Sequence, residues 1–137
     1  MEKYIHKVQY YETDKMGITH HSNYIRWMEE ARVDFFEKAG YEYSRLEEEG
    51  IISPVVAVEC NYKISTKFED VVEIEAKIRE FKGVKLVFEY AMKNQKTGEI
   101  VAECRSKHCF VNHEGRPIIL KKEFPELDQV LKNLIEE

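Results

Sequence analysis

The feature that most constrains this chain is a change in the spacing of its apolar residues. From Ser22 or Asn23, either of which can serve as a helix N-cap, apolar side chains recur with the 3.6-residue period of an α-helix. Gly40 follows as a stop signal. The pattern therefore predicts one long amphipathic helix, whose apolar face collects Trp27, Met28, Ala31, Phe35 and Ala39.

Beyond residue 55 the period falls to two, which is typical of β-strands with one covered face. Turn sequences at Lys82-Gly83 and from Asn94 to Gly98 separate the later runs. The sequence thus predicts four long strands in a meander, each antiparallel to the strand before it. These strands are expected at residues 55–64, 71–80, 84–93 and 100–111.

Shorter elements complete the prediction. Residues 4–11 are rich in Tyr, Val and Ile and predict a first strand. Ser44 and Glu47 have the spacing of a capping box, which predicts a short helix that ends at Gly50. Pro125 predicts the start of a last helix. The apolar side of that helix carries Leu127, Val130, Leu131 and Leu134.

Together these elements predict an α+β fold in which a curved antiparallel sheet wraps one long helix. With 137 residues the chain is expected to form a single domain over residues 1–137. Its 43% of hydrophobic residues are enough for a packed core. The opposite face of the sheet mixes charges with Val and Ala, so we expect that face to be partly solvated or used in assembly.

Charge and cysteine content exclude several classes of function. The chain has 26 acidic and 21 basic residues, a formal net charge of −5, and no Lys/Arg cluster. A nucleic acid or an anionic membrane surface is therefore not an expected partner. No apolar stretch has the length of a membrane span or a signal sequence, and the three cysteines lack CxxC spacing. We expect a cytoplasmic protein with reduced thiols and no integral membrane association.

The segment between the first strand and the long helix has no clear period and concentrates chemically active groups. Asp14 lies just before a glycine, and His20 and His21 come directly before the helix. A helix N-terminus offers unpaired N–H groups and partial positive charge, which suit a developing oxyanion. A carboxylate can act as general base or nucleophile, and a histidine can orient water or polarise a carbonyl. Acyl transfer to water requires these groups.

A recognisable motif runs through the same segment. Residues 11–24 read YETDKMGITHHSNY, followed by Trp27 and by Glu29-Glu30-Ala31-Arg32. This order resembles the signature of the 4-hydroxybenzoyl-CoA thioesterase family of hotdog-fold proteins, including its broad acyl-CoA thioesterase branch. The resemblance extends to the turn at Gly115-Arg116-Pro117 and covers nearly the whole chain. It implies the hotdog fold, a long helix wrapped by an antiparallel sheet.

The resemblance also implies roles for individual residues. Asp14 matches the catalytic carboxylate, which family members use either as general base or as nucleophile. His21 matches the histidine of the acyl-CoA thioesterase branch, whereas His20 stands at a variable position and is expected in an exposed loop. Asn23 and Tyr24 begin the helix whose N–H groups would polarise the thioester carbonyl. The family completes its site across a homodimer interface, and its dimers usually pair into tetramers.

Coenzyme A brings phosphates, which require cations. By the resemblance, the candidates are Lys67, Lys82 and Lys85, in and near the hairpin between two strands of the meander. Arg32 is expected to form a structural ion pair that supports the helix or the dimer. No redox cofactor is expected. No metal is expected either, because nothing in the sequence fixes a complete ligand set around Asp14, His20 and His21.

Four functions stay open. The favoured one is an acyl-CoA thioesterase, which hydrolyses a thioester to a free carboxylic acid and coenzyme A. A 4-hydroxybenzoyl-CoA thioesterase is the nearest alternative, although some aromatic-specific members carry another residue in place of His21. A hotdog hydratase or dehydratase would show a different His-based signature. A non-catalytic module that binds acyl-CoA or acyl-carrier protein would not need both Asp14 and His21.

Overall fold

The long helix predicted from the 3.6-residue period is present in the structure, a computed structural model that describes residues 1–136. This helix, α1, spans Ser22–Lys38. His21 stands at its N-cap position and forms no side-chain cap. The prediction that Ser22 or Asn23 is the N-cap is therefore wrong. Gly40 follows with a φ of +83°, a left-handed conformation that ends the helix and favours glycine. The buried face comprises Tyr24, Trp27, Met28, Ala31, Arg32, Phe35 and Phe36.

Five antiparallel strands form one sheet against this helix, in the order β1-β3-β4-β5-β2. Register shifts interrupt the β2–β5, β3–β4 and β4–β5 ladders, and such bulges bend a sheet around what it covers. The strands are β1 at Tyr4–Lys7, β2 at Val55–Tyr62, β3 at Val71–Lys82, β4 at Lys85–Asn94 and β5 at Ile100–Cys109.

The predicted meander is correct for β3, β4 and β5 and wrong for β2. Strand β2 pairs with β5, where Cys60 lies opposite Cys104, and β1 pairs with β3, where Tyr4 lies opposite Ile74. Alternation of apolar residues fixes which face of a strand is covered, but it does not say which strand lies alongside. Residues 63–70, which join β2 to β3, are longer than a tight hairpin turn and let β3 pair elsewhere.

The first strand is shorter than predicted. Residues 4–11 were expected to be extended, but β1 ends at Lys7 and a 3₁₀ turn occupies Tyr10–Glu12. The N–H of Val8 still donates to the carbonyl of Asp70 at 2.8 Å, so the chain leaves the sheet directly after this contact. The turn carries the chain from the sheet towards the N-terminus of α1.

The second helix forms without the predicted capping box. Helix α2 spans Tyr43–Glu48, so Ser44 lies inside it, and Glu42 is its N-cap with no side-chain cap. Burial of Leu46 against the core sets where the helix lies, and Gly50 ends it with a φ of +79°. The helix therefore begins two residues earlier than the capping pattern predicts.

The C-terminal prediction is confirmed. A four-residue helix, α3 at Leu120–Glu123, precedes α4, which begins at Pro125 as expected and ends at Glu136. Leu127 and Leu131 are fully buried against the core that α1 and the sheet enclose. No helix within residues 1–136 combines the length and the apolar character needed to cross a bilayer.

A chain of buried polar groups crosses this core between α1 and the sheet. Arg32 donates from Nη1 to the Tyr90 hydroxyl at 3.0 Å, and that hydroxyl lies 2.7 Å from the Ser106 hydroxyl. Ser106 in turn lies 2.7 Å from Nε2 of His108. Within residues 1–136, Arg32 does not form the expected ion pair. It donates to the Tyr90 hydroxyl instead. Burial and the Arg32 charge lower the pKa of His108 to about 4, so His108 is neutral at pH 7.

Candidate active site

Asp14 lies at the base of a tight loop between the 3₁₀ turn and α1. Thr13 and Thr19 form an antiparallel bridge, and the N–H of Asp14 donates to the carbonyl of Ile18 at 2.8 Å. Gly17 closes the loop with a φ of +81°, which explains the glycine of the motif. The aperiodic segment seen in the sequence is thus a short, internally bonded hairpin.

The Asp14 residue is half-buried, and the loop forms a hydrogen bond with only one of its two carboxylate oxygens. Its Oδ1 accepts a hydrogen bond from the N–H of Met16 at 2.8 Å. Within the described residues, Oδ2 accepts no hydrogen bond and remains available to a water molecule or a substrate. One oxygen therefore holds the side chain in place while the other is free to react.

The loop is fastened to α1 and to the segment before β3. The N–H of His20 donates to the carbonyl of Glu12 at 2.8 Å, and Nδ2 of Asn23 donates to the same carbonyl at 2.9 Å. On the other side, the Thr19 and Thr66 hydroxyls lie 2.6 Å apart. These contacts bring Thr66 against the segment of residues 12–20, although it lies 47 residues after Thr19 in the sequence.

An open cavity of about 640 Å³ lies beside this loop. Of the residues predicted for the site, Asp14 and Asn23 line it. Four carboxylates and one guanidinium face the cavity, so its electrostatic character is acidic. The lining residues are His6, Tyr11, Glu12, Thr13, Asp14, His20, Ser22, Asn23, Arg26, Glu29 and Glu30.

The two adjacent histidines point to different neighbours. Their rings stack with centroids 4.3 Å apart. Nδ1 of His20 accepts the N–H of Ser22 at 3.2 Å, and His20 lies in an exposed loop as predicted, although it lines the cavity. The ring of His21 lies edge-on to Tyr62, whose hydroxyl donates to the His21 carbonyl at 3.1 Å. His21 thus faces β2.

The N–H groups predicted to polarise a substrate carbonyl are engaged inside the chain. The N–H of Asn23 donates to the His20 carbonyl at 3.0 Å, and that of Tyr24 donates to the His21 carbonyl at 3.2 Å. The Tyr24 side chain is buried and its hydroxyl lies 3.0 Å from that of Thr66. A substrate oxygen must therefore compete with these two bonds to reach the N–H groups of Asn23 and Tyr24.

Sequence reasoning assigned no role to Glu12, which the structure buries beside the site. Its carboxylate accepts hydrogen bonds from Trp27, His6 and the N–H of Gln9. Burial alone would raise the pKa of Glu12, but these hydrogen bonds outweigh it and lower the pKa below the usual value. Its place within the motif, two residues before Asp14, was the one signal in the sequence that pointed to it.

The three lysines proposed for coenzyme A do not lie together. Lys67 follows Thr66 in the segment that contacts the Asp14 loop. Lys82 and Lys85 face each other at the far end of β3, which spans roughly 36 Å. Both of these lysines lie near Glu80, at 3.3 and 3.9 Å. A single protomer therefore cannot apply all three cations to one phosphate group.

Metal-binding geometry is not found in the part of the chain that the structure describes. Over residues 1–136, no three His, Cys, Asp or Glu side chains are grouped so that they could hold a metal ion. Cys60, Cys104 and Cys109 are free thiols, of which Cys104 alone is buried.

Comparisons with known proteins place the chain among thioesterases. Residues 8–134 match the thioesterase-like superfamily. YneP of Bacillus subtilis, provisionally assigned as an acyl-CoA thioesterase, is 36% identical over 121 residues, which cover 88% of this chain and 87% of YneP.

Solved structures agree with this match. A DHNA-CoA thioesterase from Staphylococcus aureus superposes with a TM-score of 0.92 at 31% identity, over 96% of this chain and 89% of that chain. The gentisyl-coenzyme A thioesterase BH1999 gives a TM-score of 0.82 at 29% identity, over 95% and 99% of the two chains. The chain therefore belongs to the thioesterase-like superfamily and has the hotdog fold.

Proposed function

We propose that this protein is an acyl-CoA thioesterase that hydrolyses the thioester bond to a free carboxylic acid and coenzyme A. The observation that carries the proposal is the placement of Asp14. Its carboxylate is fixed by one oxygen, open at the other, and lies at an accessible cavity next to the N-terminus of α1. In a chain of the thioesterase-like superfamily, this arrangement suits attack on a thioester carbonyl.

Two routes use this carboxylate. As general base, Asp14 takes a proton from water while the water oxygen attacks the carbonyl carbon. The tetrahedral intermediate then expels the coenzyme A thiolate, which takes up the proton. As nucleophile, Asp14 attacks the carbonyl carbon itself and displaces the thiolate, and water then hydrolyses the mixed anhydride and restores Asp14. Both routes consume one water and release one acid and one thiol.

The negative charge that forms on the carbonyl oxygen needs a partner. The N-terminus of α1 supplies partial positive charge, and its first N–H groups, including those of Asn23 and Tyr24, are the proposed donors. Each of these two N–H groups now donates to a carbonyl three residues earlier. The bond from Tyr24, at 3.2 Å, is long and can be exchanged for a bond to an oxyanion. His21 is proposed to orient the attacking water or the thioester from the β2 side.

We propose that the active form is at least a homodimer, with pairing into a tetramer as the resemblance implies. Strand β2 is an edge strand, and its apolar side chains Val56, Val58 and Tyr62 are exposed. An exposed apolar edge strand is a template for pairing with another chain. A second protomer would also bring lysines to the site that one chain holds at a distance.

The proposed dimer determines which lysines can bind the coenzyme A phosphates. Lys67 lies near the Asp14 loop of its own protomer and is the proposed contact from that chain. Lys82 and Lys85 can contribute only if another protomer places its β3–β4 hairpin beside the site. No metal or redox cofactor takes part in the proposed reaction, because the hydrolysis needs only a carboxylate, water and hydrogen-bond donors. The free thiols are consistent with action in the cytoplasm.

A second candidate is hydrolysis of an aromatic acyl-CoA, such as 4-hydroxybenzoyl-CoA. Two solved relatives near 30% identity support it, since their names specify gentisyl-CoA and DHNA-CoA thioesterases. His21 favours the broad acyl-CoA branch instead. The two candidates share the thioester chemistry at Asp14 and differ only in the acyl group.

Thiol release from short, long and aromatic acyl-CoAs tests the proposal. We expect the wild type to hydrolyse at least one class, and Asp14→Asn to lower kcat by ~10²–10⁴-fold, the usual contribution of general acid–base catalysis. Asp34→Asn makes the same chemical change farther along α1, at a half-buried ion pair with Lys38, and is expected to retain full activity. Full activity in Asp14→Asn would rule out the mechanism. Tight binding of an acyl-CoA without hydrolysis would favour the binding module.

A further inference from the structure

Glu12 is a carboxylate that the proposed reaction does not use, although it stands two residues before Asp14. We propose that Glu12 is a positioning residue: its side chain ties β1, the 3₁₀ turn and α1 together and thereby sets where Asp14 stands relative to the helix N-terminus. The inference rests on the proposed function, because it concerns the geometry of the Asp14 carboxylate. Glu12 itself touches no reacting atom in the proposed mechanism.

The burial of Glu12 is the first observation behind this proposal. Only 4% of the residue is exposed, and a buried carboxylate is strongly unfavourable unless hydrogen bonds satisfy it. Three donors do so. Oε2 accepts from Nε1 of Trp27 at 2.7 Å, and Oε1 accepts from the N–H of Gln9 and from Nε2 of His6, both at 2.8 Å. Because an ionised carboxylate can only accept, His6 must carry its proton on Nε2.

The three donors come from three separate elements, and this makes Glu12 a junction. His6 belongs to β1, Gln9 stands at the N-cap of the 3₁₀ turn, and Trp27 lies in α1. The rings of His6 and Trp27 also pack together, with centroids 4.7 Å apart. Charge-assisted hydrogen bonds of this kind are about twice as strong as neutral ones, so the carboxylate holds the three elements in one arrangement.

The backbone of Glu12 extends the junction into the catalytic loop. Its carbonyl accepts the N–H of His20 at 2.8 Å and Nδ2 of Asn23 at 2.9 Å. The loop that carries Asp14 therefore starts and ends at Glu12. Its tip is free, since Met16 is 77% exposed. The base of the loop is thus what locates Asp14, because the tip has no contact that could do so. Glu12 holds this base against α1, and Thr19 holds it against Thr66.

Glutamine is the informative replacement because it keeps the size and removes the charge. Its amide has one acceptor oxygen and one NH₂ group. Whichever way the amide turns, the NH₂ faces a donor, either Nε1 of Trp27 or the N–H of Gln9. Two donors that face each other in a buried site repel and leave both unsatisfied. Glu12→Gln should therefore open the junction without creating a cavity.

Steady-state kinetics test the positioning role. Displacement of a catalytic group by about 1 Å lowers the rate by ~10²-fold. For Glu12→Gln we expect kcat to fall 10- to 100-fold, about as far as such a displacement implies, with KM within twofold of the wild type. The matched control is Glu37→Gln, the same change at an exposed position of α1, which should leave both constants unchanged. Kinetics are compared at a temperature at which both variants are folded by circular dichroism.

A second readout reports the junction without any substrate. Trp27 is the one tryptophan of the chain, so an ¹⁵N-labelled sample has a single indole N–H signal. In the wild type that signal should be shifted downfield and protected from exchange with water, because the indole donates to a buried carboxylate. Glu12→Gln should move it upfield and raise its exchange rate, and Glu37→Gln should not.

The outcomes separate this inference from the proposed function. If the wild type hydrolyses no acyl-CoA, the function fails, and the indole signal still reports whether the junction exists. Wild-type kcat in a Glu12→Gln variant whose indole signal has moved would overturn the positioning role. Should Glu12→Gln fail to fold, Trp27→Phe removes one donor and retains the carboxylate. We then expect a smaller fall in kcat at constant KM, and an unchanged kcat would overturn the inference.

Discussion

Two neighbouring histidines at the N-terminus of α1 face different parts of the molecule. His20 is tied by its ring to Ser22 and lines the cavity beside Asp14. His21 faces β2 through Tyr62 and stacks on His20. The motif spacing selects His21, whereas the cavity of one protomer is lined by His20.

Replacement of His21 tests its assignment. We expect His21→Ala to lower kcat about tenfold, less than Asp14→Asn, because orienting a substrate contributes less than the ~10²–10⁴-fold of the reacting acid–base group. The measurement is thiol release with the substrate that the wild type prefers. His113→Ala, which replaces an exposed histidine in the turn before Gly115, is the control. A rate equal to that of the wild type would make His21 a structural residue.

At the scale of secondary-structure elements, the polar chain across the core links α1 to β4 and β5. Arg32, Tyr90, Ser106 and His108 are linked in a row through the two hydroxyl groups, and no described carboxylate pairs with Arg32. A buried cation next to His108 opposes protonation of the imidazole. The packing of helix on sheet therefore depends on His108 being neutral.

This arrangement predicts a loss of stability in mild acid. The pKa of His108 is lowered from 6.5 to about 4 in the folded state, so the unfolded chain binds the proton more tightly. The stabilisation of the folded state by neutral His108 is fully present above about pH 6.5 and is lost as the pH falls towards 4. We expect the free energy of unfolding, measured in urea, to fall over this range. In His108→Gln, which retains a polar partner for Ser106, the dependence should be flatter. Parallel curves for both proteins would contradict the assignment.

The elements also mark where local patterns stop being informative. The 3.6-residue period located α1 to within a residue or two, because its apolar face is set by the helix alone. The capping pattern predicted Ser44 as the N-cap of α2, but Ser44 lies inside this helix, since burial of Leu46 decides where α2 lies. The pairing of β2 with β5 was also missed, because strand neighbours are chosen by the course of the chain between them. Local chemistry predicts elements better than their partners.

At the scale of the whole molecule, the sheet has two edges with different properties. Strand β1 is short, whereas β2 exposes a row of apolar side chains at the other edge. The cations that could bind coenzyme A lie at opposite ends of β3. Both observations support an assembly in which β2 is covered and the hairpin of one protomer serves the site of another.

An acidic residue at this edge should disrupt the assembly. Val56 is 60% exposed, and Val56→Glu would bury a charge in the proposed interface without disturbing the core of one protomer. We expect the dimer to dissociate at concentrations at least about tenfold higher than for the wild type, and activity per chain to fall as monomers form. Light scattering coupled to size exclusion measures this. Ile5→Glu, at 47% exposure on β1, is the matched control and should remain oligomeric. A wild type that is monomeric and fully active would exclude the dimer.

The sequence by itself determined the helix, the existence of the strands, the position of Asp14 before the helix and the family motif. Each of these depends on residues close together in the chain, where period, turn chemistry and spacing act directly. Tertiary structure alone decided that β2 lies beside β5, that Lys67 is separated from Lys82 and Lys85, and that Glu12 is buried among His6, Gln9 and Trp27. The physical reason is that burial and hydrogen bonding between distant segments depend on how the elements pack, and no local pattern encodes that.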